Sequence, residues 1–175
     1  MKSLIAVINW FGPYTAEEAI KAAEFDYDDG LYAILGRQHY ERGVKLQYIG
    51  LAKSLMSRLG GYHFRLDQVT KDQELWLGEI ASPRTPGRKI KVTDRMLDLA
   101  EWAHIFYLQL PLNEKKKSRP PDRPITVLNR WWKTDYETPL RQPPIASWPN
   151  LIDYHAEGYE TRVVWFGKRQ EFREP

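Results

Sequence analysis

Short runs rich in apolar residues, separated by turn residues, predict five strands along the chain. They cover residues 4–10, 31–35, 45–49, 75–80 and 161–166. A polar connector joins the second run to the third, an arrangement typical of an antiparallel hairpin with a long loop. The stretch between residues 114 and 149 is rich in proline and basic residues and has little periodicity, so we predict no regular element in it.

Capping residues followed by apolar periodicity predict three helices. Thr15, with Glu18 three residues later, forms a capping box that begins a helix ending near Phe25. A second helix covers residues 52–59 and ends at a pair of glycines. The strongest helix covers residues 94–110 and stops before a proline, which cannot continue it.

The composition describes a folded chain of the size of one domain. It has 175 residues, 42% of them apolar and 28% charged, so we treat residues 1–175 as a single domain with a buried core. No apolar run approaches the roughly 18 residues that a membrane-spanning helix needs. The opening apolar stretch predicts a strand and not a signal peptide. The chain has no cysteine, which excludes disulfides, thiolate zinc sites and thiol catalysis. A cytoplasmic protein is the simplest interpretation.

Charge is distributed unevenly, although the net charge is only +3. Residues 1–29 contain two basic and six acidic side chains, whereas residues 111–141 contain eight basic and four acidic ones. This asymmetry favours a face that binds a polyanion. Several tryptophans and tyrosines lie beside the basic residues, where they suit stacking on bases; each one taken alone is explained equally well as a core residue.

Two short motifs stand on the strands of the predicted hairpin. Residues 30–32 read Gly-Leu-Tyr, and residues 48–50 read Tyr-Ile-Gly. An arginine follows in the next helix (Arg58), a glutamate in the strongest helix (Glu101) and an asparagine shortly after it (Asn113). This set, in this order along the chain, resembles the GIY-YIG nuclease superfamily.

The resemblance covers residues 28–113 and implies a role for each matching position. Tyr32 and Tyr48 match the two motif tyrosines, and Arg58 matches the helix arginine. Glu101 matches the single metal-binding glutamate of the family. The implied cofactor is therefore one Mg²⁺ or Mn²⁺ ion.

Other positions match the family's pattern more locally. Gly30 and Gly50 match the structural glycines of the two motifs, and Gly50 is the glycine that turns the second strand towards the helix. Tyr62 or His63 falls where members of the family place a tyrosine or a histidine, just past the arginine. Asn113 matches the asparagine that closes the motif.

The chemistry of phosphodiester hydrolysis accounts for these residue types independently. The reaction needs a proton acceptor for water and stabilisation of charge on the phosphoryl oxygens. Positive charge from Arg58, Lys53 and a divalent ion would favour a phenolate, so either motif tyrosine is a candidate base. Arg58 offers a guanidinium fork to the phosphate, and Glu101 suits one divalent ion. For His63, catalysis and phosphate contact are both open.

Basic and polar residues around the predicted site are candidates for contact with nucleic acid. They are Lys53, Tyr62, Asn113, Lys115, Lys116, Lys117, Arg130 and Lys133. The run 115–117 follows the strongest helix directly, which favours contact with backbone phosphates over a solvated segment. The Arg-Trp-Trp-Lys sequence at residues 130–133 would suit stacking on unpaired bases.

Structural roles compete with these assignments. The two motif tyrosines can be ordinary half-buried strand residues. Glu101 can pair with Arg58 or Arg95 within the fold. His104, three residues after Glu101 on the same helix face, can bind metal together with it or serve packing.

These features together predict an α+β fold in which a small antiparallel sheet is flanked by helices. The catalytic core, of β-β-α-β-α order, covers residues 28–113, between an N-terminal strand–helix unit (1–27) and a basic, aromatic extension (114–175). We expect a metal-dependent endonuclease acting on duplex DNA, of the restriction, defence or mobile-element kind. On palindromic sites it would act as a homodimer or as a pair of monomers that nick opposite strands. Two alternatives are an RNase or single-strand-specific nuclease and a non-catalytic nucleic-acid-binding module.

Overall fold

The computed structural model describes residues 3–61, 63–81, 91–156 and 158–174. Within these ranges the elements follow in the order β1 (Leu4–Tyr14), α1 (Ala16–Asp26), β2 (Gly30–Gln38), β3 (Lys45–Ala52), α2 (Leu55–Gly60), α3 (Phe64–Gln68), β4 (Val69–Ile80), α4 (Asp94–Leu108), β5 (Ile125–Trp132), β6 (Leu151–Tyr154), β7 (Thr161–Trp165) and β8 (Arg169–Arg173). No helix in these ranges is long and apolar enough to cross a membrane.

All eight strands belong to one mixed sheet. Their order across the sheet is β3-β2-β4-β1-β5-β6-β7-β8. β1 and β5 are parallel, and the other neighbouring pairs are antiparallel. The predicted fold class, a small antiparallel sheet flanked by helices, is therefore wrong. Strands from the N-terminal unit and from the C-terminal extension join the hairpin in the same sheet.

Three of these strands were missed by the apolar pattern, and each has a physical reason. β5 lies inside the proline-rich, basic stretch, and a polar residue, Asn129, occupies one of its alternating buried positions and so interrupts the apolar pattern. β6 has only four residues. β8 reads Arg-Gln-Glu-Phe-Arg and forms the far edge of the sheet, where charged side chains meet solvent.

Other strand boundaries also differ from the predicted ones. β1 continues through Gly12 and Pro13 to Tyr14, and its register with β4 shifts between Phe11 and Tyr14. β4 begins at Val69, earlier than the predicted 75–80, because its charged first half still pairs with β2. The capping box that begins α1 is confirmed.

The helices cover both faces of the sheet, and this arrangement positions the candidate site. α4 packs on one face, in a core that contains Trp10 and Trp76. α1 and α2 pack on the other face, in a core that contains Tyr32 and Leu77. Because β3 is a terminal strand, side chains from both faces can meet around its outer edge.

Candidate active site

A cleft of about 470 Å³ lies along the outer edge of β3, and we call it the edge cleft. It is lined by Tyr48, Arg58, His63, Arg65, Glu101, Ile105, Leu112, Asn113, Glu114, Lys115 and Lys116. Four of the five residues predicted to be catalytic thus line one cleft. The fifth, Tyr32, is fully buried beside Tyr48.

The pairing of β2 with β3 brings the two motif tyrosines together. Tyr32 lies opposite Gly50, and Tyr48 lies opposite Ile34. Residues two apart on a strand face the same way, so both rings lie on one face, with their centroids 5.8 Å apart. A Cβ atom on Gly50 would come within 2.6 Å of the Tyr32 hydroxyl oxygen and 2.7 Å of the Tyr48 ring. Only glycine leaves room for this packing.

α2 follows β3 directly and presents Arg58 to the cleft. Ser54 caps this helix through its side chain, and Leu55 anchors it in the core. Gly30 allows close packing here, since a Cβ atom on it would lie 2.5 Å from the carbonyl oxygen of Gly78 and 3.2 Å from Leu55. The exposed guanidinium of Arg58 therefore extends from a firmly seated helix.

His63 lies between the motif tyrosines at the start of α3. Its Nδ1 accepts a hydrogen bond from the backbone N–H of Arg65 (3.2 Å), so the proton of the neutral ring is on Nε2. Nε2 lies 2.7 Å from the Tyr32 hydroxyl oxygen and donates to it. The Nε of Arg58 donates to the same oxygen at 3.2 Å. The His63 ring also contacts Tyr48 edge-on, at 5.7 Å between centroids.

Burial determines the protonation states of His63 and Tyr32. Burial, reinforced by the charge of Arg58, lowers the pKa of His63 to about 4, so its ring is neutral at pH 7. Burial and the neighbouring Tyr48 raise the pKa of the Tyr32 phenol, and Arg58 opposes this only in part. Tyr32 is therefore protonated at neutral pH. Tyr48, which is half-buried and lines the cleft, is better placed to meet water.

Glu101 reaches the cleft from α4 and is held at both carboxylate oxygens. Oε1 accepts a hydrogen bond from the backbone N–H of Leu51 (3.0 Å), and Oε2 pairs with the Lys116 ammonium. Lys116 also pairs with Asp98 at 2.7 Å. Burial disfavours the charged ammonium, but the two ion pairs outweigh it and raise the pKa of Lys116. The structural partner of Glu101 is thus Lys116, not Arg58 or Arg95.

The outward-facing backbone of β3 is occupied by residues after α4. The side chain of Asn113 accepts from the N–H of Ile49 (3.1 Å) and donates to its carbonyl oxygen (2.8 Å). The N–H of Leu112 donates to the carbonyl oxygen of Gln47 (2.9 Å). Asn113, predicted to contact nucleic acid, thus uses both atoms of its amide group to bind the edge strand. These contacts fix the cleft's shape.

The predicted basic contacts separate into two groups. Lys115 and Lys116 line the edge cleft, whereas Lys117 donates to the carbonyl oxygen of Leu110 (2.8 Å) and Lys53 pairs at the surface with Asp94 (3.0 Å).

Arg130 lies near the end of β5 and Lys133 directly follows that strand, across the sheet from β3, and neither lines the edge cleft. Tyr62 lies outside the described residues. The sequence interpretation missed Arg65, which lines the cleft and pairs with Glu114 at 2.8 Å. The sequence feature that could have identified Arg65 is its position two residues after His63.

His104 is a structural residue. Its ring is fully buried, Nδ1 donates to the carbonyl oxygen of Ala100 (2.7 Å), and Nε2 then accepts from the Asn129 amide (2.9 Å). The Asn129 oxygen accepts from the Trp10 indole (2.8 Å). Burial lowers the pKa of His104 to about 4. Among the residues that the structure describes, no group of three or more acidic or histidine side chains could hold a metal ion.

Comparison of the chain with protein-family models, with curated proteins and with solved structures finds no match. The resemblance to GIY-YIG nucleases stays a prediction that rests on the residues named above.

Proposed function

We propose that this protein is a metal-dependent endonuclease that hydrolyses DNA phosphodiester bonds in the edge cleft. The observation that carries the proposal is the meeting of four side chains from four places in the sequence: Tyr48 of β3, Arg58 of α2, His63 before α3 and Glu101 of α4. They supply a proton acceptor, a phosphate-binding cation and a single carboxylate, which this reaction requires.

Tyr48 is the proposed general base. The Tyr48 oxygen, in its deprotonated form, takes a proton from the attacking water, the water oxygen bonds to phosphorus, and the bond from phosphorus to the 3′ oxygen breaks. The departing 3′ oxygen takes a proton from solvent. Tyr32 is a positioning residue, because its buried oxygen accepts hydrogen bonds from His63 and Arg58 and fixes both. Arg58 binds the phosphoryl oxygens as negative charge builds on them.

The charge of the edge cleft supports a polyanionic substrate. Four cations line it, namely Arg58, Arg65, Lys115 and Lys116, against the two carboxylates of Glu101 and Glu114. Clustered positive charge of this kind attracts the phosphate backbone without regard to base sequence. We infer that the cleft positions the backbone, and that the connector 37–44 and the segment 114–149 read the bases.

Glu101 is the residue that would hold one Mg²⁺ or Mn²⁺ ion. Its carboxylate lines the cleft and already binds a cation there, the ammonium of Lys116, while the Leu51 N–H fixes the other oxygen. A bound ion would polarise the phosphoryl oxygen and favour loss of a proton from water. Water and phosphate would complete its coordination, and Lys116 can remain on Asp98.

The biological setting that we propose follows from the substrate. A metal-dependent DNA endonuclease fits a restriction, defence or mobile-element enzyme that works in the cytoplasm. Cutting both strands of a palindromic site would take a homodimer on DNA or a pair of monomers that nick opposite strands.

One observation favours a second candidate, a nucleic-acid-binding module without chemistry. Both oxygens of Glu101 are engaged within the fold, and burial keeps Tyr32 protonated. Such a module would bind DNA with a steep salt dependence and would not cut it.

Plasmid cleavage tests the proposal. Wild type, Glu101→Gln and the control Glu24→Gln, an exposed glutamate on α1, are incubated with supercoiled plasmid in Mg²⁺, Mn²⁺ or EDTA. Gln keeps the oxygen that accepts from Leu51, so folding is preserved. We expect wild type and Glu24→Gln to cut only with metal, and Glu101→Gln to be about a thousandfold slower.

Each other outcome has a defined meaning. DNA binding without cleavage by folded wild type would favour the module. Cleavage of RNA or of single-stranded DNA, in place of duplex DNA, would show that the proposed substrate is wrong. An active Glu101→Gln protein would remove the metal assignment.

A further inference from the structure

A second cleft, of about 590 Å³, lies over the neighbouring strands β4, β1 and β5 beside the end of α1, and we call it the aromatic cleft. It is lined by Asn9, Phe11, Asp26, Tyr27, Glu79, Trp132, Tyr136 and Glu137. None of these residues takes part in the proposed hydrolysis. Its volume is in the range of small-molecule sites.

Four aromatic rings form the walls of this cleft. Phe11 lies at the centre, with its ring centroid 5.0 Å from that of Tyr136, 6.3 Å from Tyr27 and 6.4 Å from Trp132. The indole N–H of Trp132 donates to the side chain of Asn9 (3.1 Å), which fixes the ring. The negative faces of such rings attract organic cations.

Three carboxylates complete the lining, and they are not neutralised. Within the described part of the chain, Asp26, Glu79 and Glu137 form no ion pair with a lysine or an arginine. Asp26 accepts a hydrogen bond from the Tyr136 hydroxyl (2.7 Å) and is thereby oriented. The nearest basic residue in the same cross-strand row, Arg130, stacks on Trp132 with its guanidinium carbon 5.2 Å from the ring centroid.

One buried group in the cleft, the Tyr27 hydroxyl, and one exposed carboxylate, Glu79, are available to a ligand. The Tyr27 side chain is 9% exposed, and in the ranges that the structure covers its hydroxyl makes no hydrogen bond of normal geometry, although the Tyr14 and Tyr136 hydroxyls lie near it. Partial desolvation raises the pKa of Glu79, and no positive charge among the described residues offsets this. A cation in the cleft would interact favourably with Glu79, and a polar group on it would satisfy Tyr27.

We propose that the aromatic cleft binds a small organic cation of the alkylammonium class. The rings supply cation–π contacts to its alkylated surface, and Asp26, Glu79 and Glu137 supply opposite charge. An inorganic ion would not use the rings, and a phosphate backbone would be repelled by the carboxylates. This inference does not rest on the nuclease proposal.

The test uses tetramethylammonium chloride as the probe, with sodium chloride at the same ionic strength as the reference. The indole N–H signal of Trp132 is followed by NMR and assigned from its loss in Trp132→Phe. We expect a saturable shift with tetramethylammonium that sodium does not produce. Glu79→Gln and Asp26→Asn should each weaken binding about tenfold, whereas the exposed control Glu24→Gln should bind as wild type does.

Several results would overturn the proposal. A shift that never saturates, or one that sodium reproduces, would mean that the cleft does not recognise an organic cation. Unchanged affinity in both Glu79→Gln and Asp26→Asn would mean that the probe binds elsewhere. Because these two substitutions are isosteric, at least one of them should fold, which unfolding curves verify.

Discussion

The edge cleft and the aromatic cleft belong to the same sheet and have similar volumes, yet their polar groups are organised in opposite ways. In the edge cleft, Glu101 and Lys116 pair with each other, and His63 donates to Tyr32. In the aromatic cleft, acidic side chains face aromatic rings without a cationic partner in the described ranges. The paired groups of the edge cleft are preorganised for a reaction on an anion. The acidic side chains of the aromatic cleft are arranged to bind a cation. Charge and pairing, more than size, separate the two sites.

After Glu101→Gln, the largest effect that would break this comparison is expected at Arg58. Arg58→Gln should reduce metal-dependent cleavage about a hundredfold or more, because the phosphoryl oxygens lose their guanidinium partner. The matched control is Arg169→Gln, which removes an arginine at the opposite edge of the sheet. The test compares the cleavage rates of the two variants and wild type on one oligonucleotide duplex. Equal losses in the two variants would indicate a general charge effect and not a site.

A substitution at Gly50 should destabilise the fold. Gly50→Ala places a Cβ atom against the rings of Tyr32 and Tyr48, so we expect a loss of about 2 kcal/mol in the free energy of unfolding. Gly43→Ala is the control, because a Cβ atom there meets nothing within 4 Å. Urea denaturation measures both. A Gly50→Ala protein as stable as wild type would contradict the observed packing of the two tyrosines.

Stability should fall on mild acidification because of His104. Its pKa is about 4 in the fold and about 6.5 in an unfolded chain. The unfolded state therefore binds more protons below pH 6.5, so this stability is present above pH 6.5 and is lost as the pH falls towards 4. The expected slope from His104 is about 1.4 kcal/mol per pH unit within that window, and His63, whose pKa is also about 4, adds to it in the same direction. Urea midpoints at pH 7 and pH 5, with NMR titration of the ring, test this. A His104 ring that titrates near pH 6.5 would contradict it.

The smallest effect sharpens the contrast between two carboxylates. Glu101→Gln should lower the free energy of unfolding by about 1 kcal/mol or more, because it breaks a partly buried ion pair with Lys116. Glu79→Gln should change it by no more than about 0.5 kcal/mol, in the stabilising direction, because it removes a carboxylate without an ion pair among the described residues. Thermal unfolding of the two variants side by side measures the difference.

Local sequence signals predicted the elements around the edge cleft well. The capping box at Thr15 and the helix after Thr93 are present, and the hairpin of β2 and β3 forms around the two motif tyrosines. These features depend on neighbours in sequence, such as a capping hydroxyl or alternating apolar positions. They could be read without knowledge of the rest of the fold.

Long-range pairing could not be predicted in the same way. β5 joins β1 in parallel from more than a hundred residues away, and its register is supported by contacts such as the one between Trp10 and Asn129. The pairing of Glu101 with Lys116 and the binding of β3 by Asn113 depend on how α4 meets the sheet edge. The aromatic cleft combines residues from four elements and leaves no motif in the sequence.

The most direct test of the central claim is where Mn²⁺ binds in the presence of a phosphorothioate dinucleotide, a slowly cleaved analogue of the substrate. Paramagnetic broadening of backbone amide NMR signals reports that position. We predict saturable broadening centred on Leu51, whose N–H bonds Glu101, and its loss in Glu101→Gln. Broadening centred on Asp26 and Glu79, or broadening unaffected by Glu101→Gln, would contradict the assignment of the edge cleft as the metal-dependent site.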